Sequence, residues 1–396
     1  MSPLLAQAQA LAPEIVSIRR DLHKNPELGF AEHRTAQLVA DYLTKLGLVP
    51  RIMANTGVVA TISGQRPGKT IALRADMDAL PITEQADHEY VSTTTGLMHA
   101  CGHDGHTAIL LGAAKLLATN NDFPGNVKLI FQPAEEGPGG AMPLINEGVL
   151  ENPTVDAIFG LHLGTFVVHA GQIALREGPV CAAPDTITIV VRGKGGHGAH
   201  PHLSVDAVVA AGHVIVALQT IVSREIDPLS AVVLSLGTIN GGYRENVIAD
   251  EVIIKGTVRT LSPEIRATMP MRIERVIRGT CESLRAEYTF SYEMGYPVLI
   301  NDRDMTNLAE KVSQRVLGPE NTLRATHPSM GGEDFSYFAE RVPACFFYLG
   351  ALNAEKGCHY PIHHPKFNFD EDAIPVGMAM LAEICLEYLQ VSATHV

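Results

Sequence analysis

From Gly57 to His162, short runs rich in β-branched residues alternate with helical stretches, and the runs end on acids, amides or histidines. GVVATI and TIALRA read as strands, TAILLGAAKLLA from Thr107 as a helix, and NVKLIF and AIFGLH as further strands. This alternation predicts a mostly parallel sheet with helices on both faces, because parallel neighbours need crossover connections and those connections cover the sheet. Ligands of such sheets sit in the crevice beyond the carboxyl ends of the strands. At those ends this chain carries Asp76 and Asp78 after TIALRA, Glu135-Glu136 after NVKLIF, His162 after AIFGL, and His363-His364 after ACFFYLG and a loop. Alone, a Glu-Glu pair is a solvated turn and a histidine after a strand is a core residue. Four strand ends bearing the same chemistry point to one shared site.

The opening segment predicts two helices split at Asn25-Pro26, the second burying Ala36, Val39, Ala40 and Leu43 and ending at Gly47. From Asp185 the texture changes. TITIVV, a helix from Ser204 to Ser223, the strands AVVLSLGTI and NVIADEVIIKGTV, a helix capped by Ser262-Pro263-Glu264 and running towards Arg285, and YTFSYEM give the order β-α-β-β-α-β. After Pro297 a helix (305–317), the strand ACFFYLG and a C-terminal helix (373–389) restore the α/β pattern. The expected organisation is an α/β domain made of 1–184 and 297–396, with 185–296 inserted as an α+β βαββαβ domain.

Thirty basic residues against 43 acidic ones give a formal charge of −13, and no Lys/Arg cluster interrupts it, so a nucleic-acid partner is not expected. No window approaches the uninterrupted apolar length of a membrane span, and LLAQAQALA has no basic residue before it, the first being Arg19; neither a membrane nor a signal peptide is expected. The six cysteines are scattered without paired spacing, which predicts reduced thiols and a cytoplasmic address.

Residues 99–106 read HACGHDGH. Cys101 and His103 are two apart, and an extended or turn conformation at Gly102 puts both side chains on one side. Thiolate and imidazole favour Zn, Ni, Co or Mn over Mg or Ca, and carboxylates suit all of them. Adjacent glutamates permit a division of labour in which one holds a metal and the other serves as general base. A metal-free cysteine nucleophile with a histidine base is a rival reading, but it leaves Glu135, Glu136, His162 and His363 without a task. A non-catalytic binder has no use for the second glutamate.

The motifs RRDLHKNPELGFAEHRTA, LRADMDALPI, MHACGHDGHTAILLGAAK, FQPAEEGPGGA, GLHLGT, GKGGHGAHPH, ENVIADEV with GTVRT, MGGEDFSYF and IHHPKF span the chain nearly end to end. In that order they resemble the amidohydrolase branch of the M20 metallopeptidases, which includes hippurate hydrolases, N-acyl-amino-acid amidohydrolases and the plant indoleacetyl-amino-acid hydrolases. The resemblance implies a zinc-exopeptidase-like catalytic domain with an inserted lid and dimerisation domain, and one or two divalent transition metals held by Cys101, His103, Glu136, His162 and His363. It implies Glu135 as base and proton shuttle, and His197 as an oxyanion-stabilising residue that reaches a partner subunit's site. Asn246 and Arg259 fall near the substrate carboxylate, and Asp76 and Asp78 orient the site from behind; at Asp76 an aspartate replaces the histidine of other branches. GLHLGT lacks the aromatic and proline common after GLH, and NVIADEV has alanine where proline is usual, departures that would reshape the acyl pocket. The implied activity is hydrolysis of an N-acyl amino acid, with a dipeptidase or carboxypeptidase of the same family as the alternative, by a homodimer or higher homo-oligomer formed through the inserted domain.

Overall fold

The computed structural model describes residues 2–393, with the side chains of residues 165–167 and 393 left outside the description. The chain divides into two compact units: Met1–Gly178 with Ile300–His327 and Tyr337–Val396, and Pro179–Leu299 with Pro328–Ser336. The segment Pro328–Ser336 packs with the second unit because Ser329 and Gly331 carbonyls accept from Ala182 N–H at 3.1 and 2.9 Å.

The larger unit is built on an eight-stranded sheet. At its centre the strands Pro124–Gln132, Arg66–Asp76, Ala157–His169 and Ala344–Leu352 lie parallel in that order. Gly57–Ser63 joins antiparallel at one side and Ile173–Leu175 at the other. Ile71, Leu73, Val127, Leu129, Phe159 and Phe347 are buried in its core, as the continuous apolar runs of these strands require. The helices Pro3–Lys24, His103–Thr119 and Ala373–Ala393 pack on one another and contribute to the same core.

The smaller unit has a four-stranded antiparallel sheet, ordered Val232–Gly241, Glu251–Thr260, Ala183–Arg192, Glu287–Glu293, with the helices Ala207–Thr220 and Pro263–Ser283 over one apolar face. Ser262 caps the latter through its hydroxyl, which accepts from Ile265 N–H at 3.1 Å. The run NVIADEVIIKGTV is not one strand: Val247–Ile248 pairs with Gly196–His197, and Glu251–Thr260 pairs in the main sheet. The break falls where Asp250 O accepts from Gly193 N–H at 2.8 Å.

No uninterrupted apolar run is long enough to span a membrane, but two helices among the described residues pass by length and mean hydropathy alone. Ala207–Glu225 and Ala373–Ser392 have the length and mean hydropathy, but 72% of the second lies inside the fold, where a core helix belongs.

Candidate metal centre

The catalytic helix starts four residues earlier than its apolar run suggests. Gly102 is its N-cap at φ 96°, in the left-handed region that costs glycine little, so His103 is the first helical residue rather than part of a turn. Cys101 and His103 thus flank a tight bend that faces the strand ends.

The strand ends converge on this bend. The ligand atoms of Cys101, His103 and His162 lie within 4.8 Å of one another, and so do those of Cys101, Glu136 and His363, and of His103, Glu135 and Glu136. Cys101 Sγ is 3.4 Å from His162 Nε2, and His363 Nε2 is 3.0 Å from Glu136 Oε1. His363 reaches inward from a loop residue at φ 65° whose N–H donates to Ala100 O at 2.7 Å. Its neighbour His364 lies elsewhere: it stacks on Tyr360, and its Nδ1 accepts from Lys366 N–H.

Asp78 organises the front of the cluster. Its two carboxylate oxygens accept from the backbone N–H groups of Glu135 and Glu136, both at 3.0 Å. His103 Nδ1 lies 2.9 Å from Asp78 O and 3.2 Å from its Oδ1, so the ring donates there and turns Nε2 towards the other ligand atoms. That Nε2 is buried and has no hydrogen-bond partner among the described residues. His162 is oriented in the same manner, Nδ1–H donating to Leu163 O at 2.9 Å.

Asp76 works differently from Asp78. Its carboxylate meets Arg74 Nη1 at 2.7 Å and His106 Nδ1 at 2.6 Å, while its closest approach to His103 is 3.8 Å. His106 Nε2 in turn accepts from Leu163 N–H at 2.8 Å, so both its nitrogens are engaged and it braces the His162 strand. Arg74, His106 and Gln132, whose Oε1 accepts from Arg74 Nε at 2.8 Å, were given no role in the sequence reading. An arginine inside a strand read as buried was the available signal, since a buried guanidinium demands partners.

Electrostatically the cluster is short of positive charge. Burial, followed by Glu136, Glu135 and Asp76, pushes the Cys101 thiol well above its usual range. Burial opposes a charge on His103, yet Asp76, Asp78 and Glu136 outweigh it and push that imidazole up to about 10. Burial brings His162 down to about 3, which leaves a neutral ring. Without a cation, then, the acids retain protons on the ligand groups. A divalent ion would reverse this, turning the thiol to thiolate and releasing the His103 proton. The donor set of thiol, imidazole and carboxylate, with one buried imidazole nitrogen unpartnered, fits a borderline transition metal.

In the smaller unit, His197 is exposed on the Gly196–His197 strand, opposite Val247. The backbone brings Asn246 beside it, Asn246 O accepting from Gly198 N–H at 2.8 Å. Arg259 is half-buried on Glu251–Thr260, its Nε donating to Thr257 Oγ1 at 3.0 Å. Burial lowers its guanidinium somewhat against the pull of Asp185.

An acid-rich cluster of thiol, imidazole and carboxylate groups at the strand ends of an α/β sheet defines a hydrolase built around a cation-binding centre. Residues 72–387 match the model of peptidase family M20/M25/M40, and the chain belongs to that family. It is 41% identical to thermostable carboxypeptidase 2 of Saccharolobus solfataricus over 94% of this chain and 95% of the relative. With N-acetyl-L-cysteine deacetylase of Bacillus subtilis it shares 42% identity over 92% of this chain and 85% of the relative. A solved structure of a dinuclear metal-binding M20 peptidase from Bacillus subtilis superposes with a TM-score of 0.84 at 35% identity, covering 96% of this chain and 99% of the other.

Proposed function

We propose that the protein is a metal-dependent amidohydrolase that cleaves N-acyl amino acids, releasing a carboxylic acid and a free amino acid. The observation that carries this reading is the set of overlapping ligand triads sharing Cys101, His103 and Glu136 beside Glu135. A carboxypeptidase and a deacetylase of N-acetylcysteine, the activities named for two relatives, cut the same kind of bond: an amide whose nitrogen belongs to an amino acid with a free carboxylate.

Cys101, His103, Glu136, His162 and His363 would hold one or two divalent ions of the Zn, Mn, Ni or Co type. Such an ion, when bound, lowers the pKa of water to about 7 and polarises a carbonyl. Glu135, buried and fixed through its N–H on Asp78, takes the proton of the attacking water and returns it to the departing amine. His197 Nδ1 accepts from Ala199 N–H at 3.0 Å, which leaves Nε2–H as the donor for an oxyanion. Arg259 and Asn246 are the groups for the substrate carboxylate. Asp78 aligns the ligands, and Asp76 aligns them through His106.

Val208, Val209 and Val216 on the Ala207–Thr220 helix are 49%, 50% and 71% exposed, which supports a homodimer formed through the inserted domain. The buried cysteines Cys101, Cys281, Cys345, Cys358 and Cys385, none of them in a disulfide among the described residues, support a cytoplasmic location.

The test is metal analysis of the purified protein together with hydrolysis of hippurate, N-acetyl amino acids and dipeptides, before and after chelation. The expected result is activity lost on chelation and restored by Zn, Mn, Co or Ni. Activity indifferent to chelators but abolished by thiol alkylation would overturn the reading in favour of a Cys101 nucleophile. The ratio of acyl to peptide substrates then separates acylase from carboxypeptidase.

A further inference from the structure

The connection from Met77 to Gly102, between the Arg66–Asp76 strand and the catalytic helix, contains no helix or multi-residue strand. A structureless connection of this length is uncommon in a compact domain and needs something to hold it. Three of its residues, Glu84, His88 and His99, gather with His23 from the end of the first helix, outside the ligand set assigned above. Glu84 Oε1 lies 3.2 Å from His23 Nε2 and 3.1 Å from His88 Nε2, and these three ligand atoms all fall within 4.8 Å of one another. Two donors each about 2.0–2.1 Å from a tetrahedral zinc ion stand roughly 3.3 Å apart, so the observed separations match the edges of such a site.

The surroundings suit a metal better than a simple ion pair. His23 Nδ1 is engaged by Asp104 at 2.8 Å, which fixes the ring and turns Nε2 towards Glu84 in the carboxylate–histidine–metal arrangement. His88 stacks on Tyr90 at a centroid distance of 3.9 Å, and its Nε2 faces the Glu84 carboxylate while its Nδ1 has no hydrogen-bond partner among the described residues. His99 is 1% exposed, its ring centroid is 6.3 Å from that of His23, and both its nitrogens lack a hydrogen-bond partner among the described residues. Buried imidazoles left without partners are costly, and a cation that recruits them removes the cost.

We propose that His23, Glu84 and His88, with His99 alongside, form a second, structural site for a divalent transition ion, zinc by its donor chemistry, that pins the Met77–Gly102 connection to the first helix. The site is separate from the Cys101 centre and independent of the reaction catalysed there. His88, whose side chain is 15% exposed, provides the way in.

The experiment exposes the purified full chain to micromolar zinc, counts bound metal by native and elemental mass spectrometry, and collects anomalous diffraction at the zinc edge from the wild-type crystals. The expected result is an anomalous peak between His23, Glu84 and His88, and one zinc fewer per chain in His88→Ala and in Glu84→Gln. Amide hydrolysis by His88→Ala should stay within about twofold of wild type. Equal zinc counts in wild type and variants, no peak at these residues, or a peak that appears only at millimolar zinc would overturn the proposal. Should the variants fail to fold, the wild-type anomalous map decides alone.

Discussion

The octet HACGHDGH faces two environments, and they handle charge in opposite ways. On one side Cys101 and His103 look into Asp78, Glu135 and Glu136, and in that cluster acids outnumber cations. On the other side Asp104, one residue into the same helix, is met by Arg19 Nε at 2.8 Å and His23 Nδ1 at 2.8 Å, while Arg19 also reaches Glu371 and Asn368 and lies over the Phe369 ring. Balanced buried charge is architecture; an excess of buried negative charge suits a cation. The difference predicts that substitutions on the first side remove chemistry and leave the fold intact, whereas substitutions on the second remove stability.

Glu135→Gln is the sharpest way to break that comparison. The general base is lost and the amide keeps the size, so kcat should fall by about 10²–10⁴-fold while metal content and melting temperature stay at wild-type values. A variant that loses metal together with activity would move Glu135 from base to ligand. Asp104→Asn should do the converse. It leaves Arg19 and His23 buried without their carboxylate, a loss of about 3–5 kcal/mol of stability readable by denaturant unfolding, with the metal ligands themselves untouched. If Asp104→Asn unfolds like wild type, the balanced side is not what holds the helix start.

Asp78→Ala sits between these two. Asp78 touches no substrate in the proposed mechanism, but it fixes His103 and both glutamate amides. Metal affinity should drop about 10–100-fold, with kcat recovering when metal is supplied in excess. Failure of excess metal to rescue would show that Asp78 positions Glu135 more than it positions the ion.

The sheet was legible in the sequence because buried parallel strands write continuous apolar runs that end on polar residues, as TIALRA-Asp76 and NVKLIF-Gln132 do. Cys101, His103, Glu135, Glu136, His162 and His363 could be picked out because their types are rare at such positions. What could not be read were the partners. Arg19 to Asp104 joins residues whose types alone are ordinary, and pairing across 85 positions leaves no local pattern. The helix start was misread for a similar reason: the polar first turn His103-Asp104-Gly105-His106 is buried against other polar groups, so periodicity in apolar residues begins only at Thr107. The split of NVIADEVIIKGTV was hidden as well, because alternation continues on both sides of Ala249-Asp250.

The smallest expected effect, and the finest test of the balanced side, is its pH dependence. Burial alone would raise the Asp104 carboxyl, but Arg19 and His23 together hold it well below the usual carboxylate range. Burial alone would lower His23, but Asp104 and Glu84 raise it above the usual imidazole value. A depressed carboxyl contributes stability that is complete above its unfolded pKa of about 3.9 and is lost as pH falls below that value. A raised imidazole contributes stability that is complete below its unfolded pKa of about 6.5 and is lost as pH rises through its folded value. In metal-free protein the pair therefore stabilises most strongly between about pH 4 and pH 6.5, and the difference in melting temperature between wild type and Asp104→Asn should be widest in that window. It should shrink on the acid side as the wild-type carboxyl takes up its proton. A difference that stays constant from pH 3 to neutrality would mean that Asp104 acts through packing and hydrogen bonding rather than charge, and the contrast between the two sides of the octet would lose its electrostatic basis.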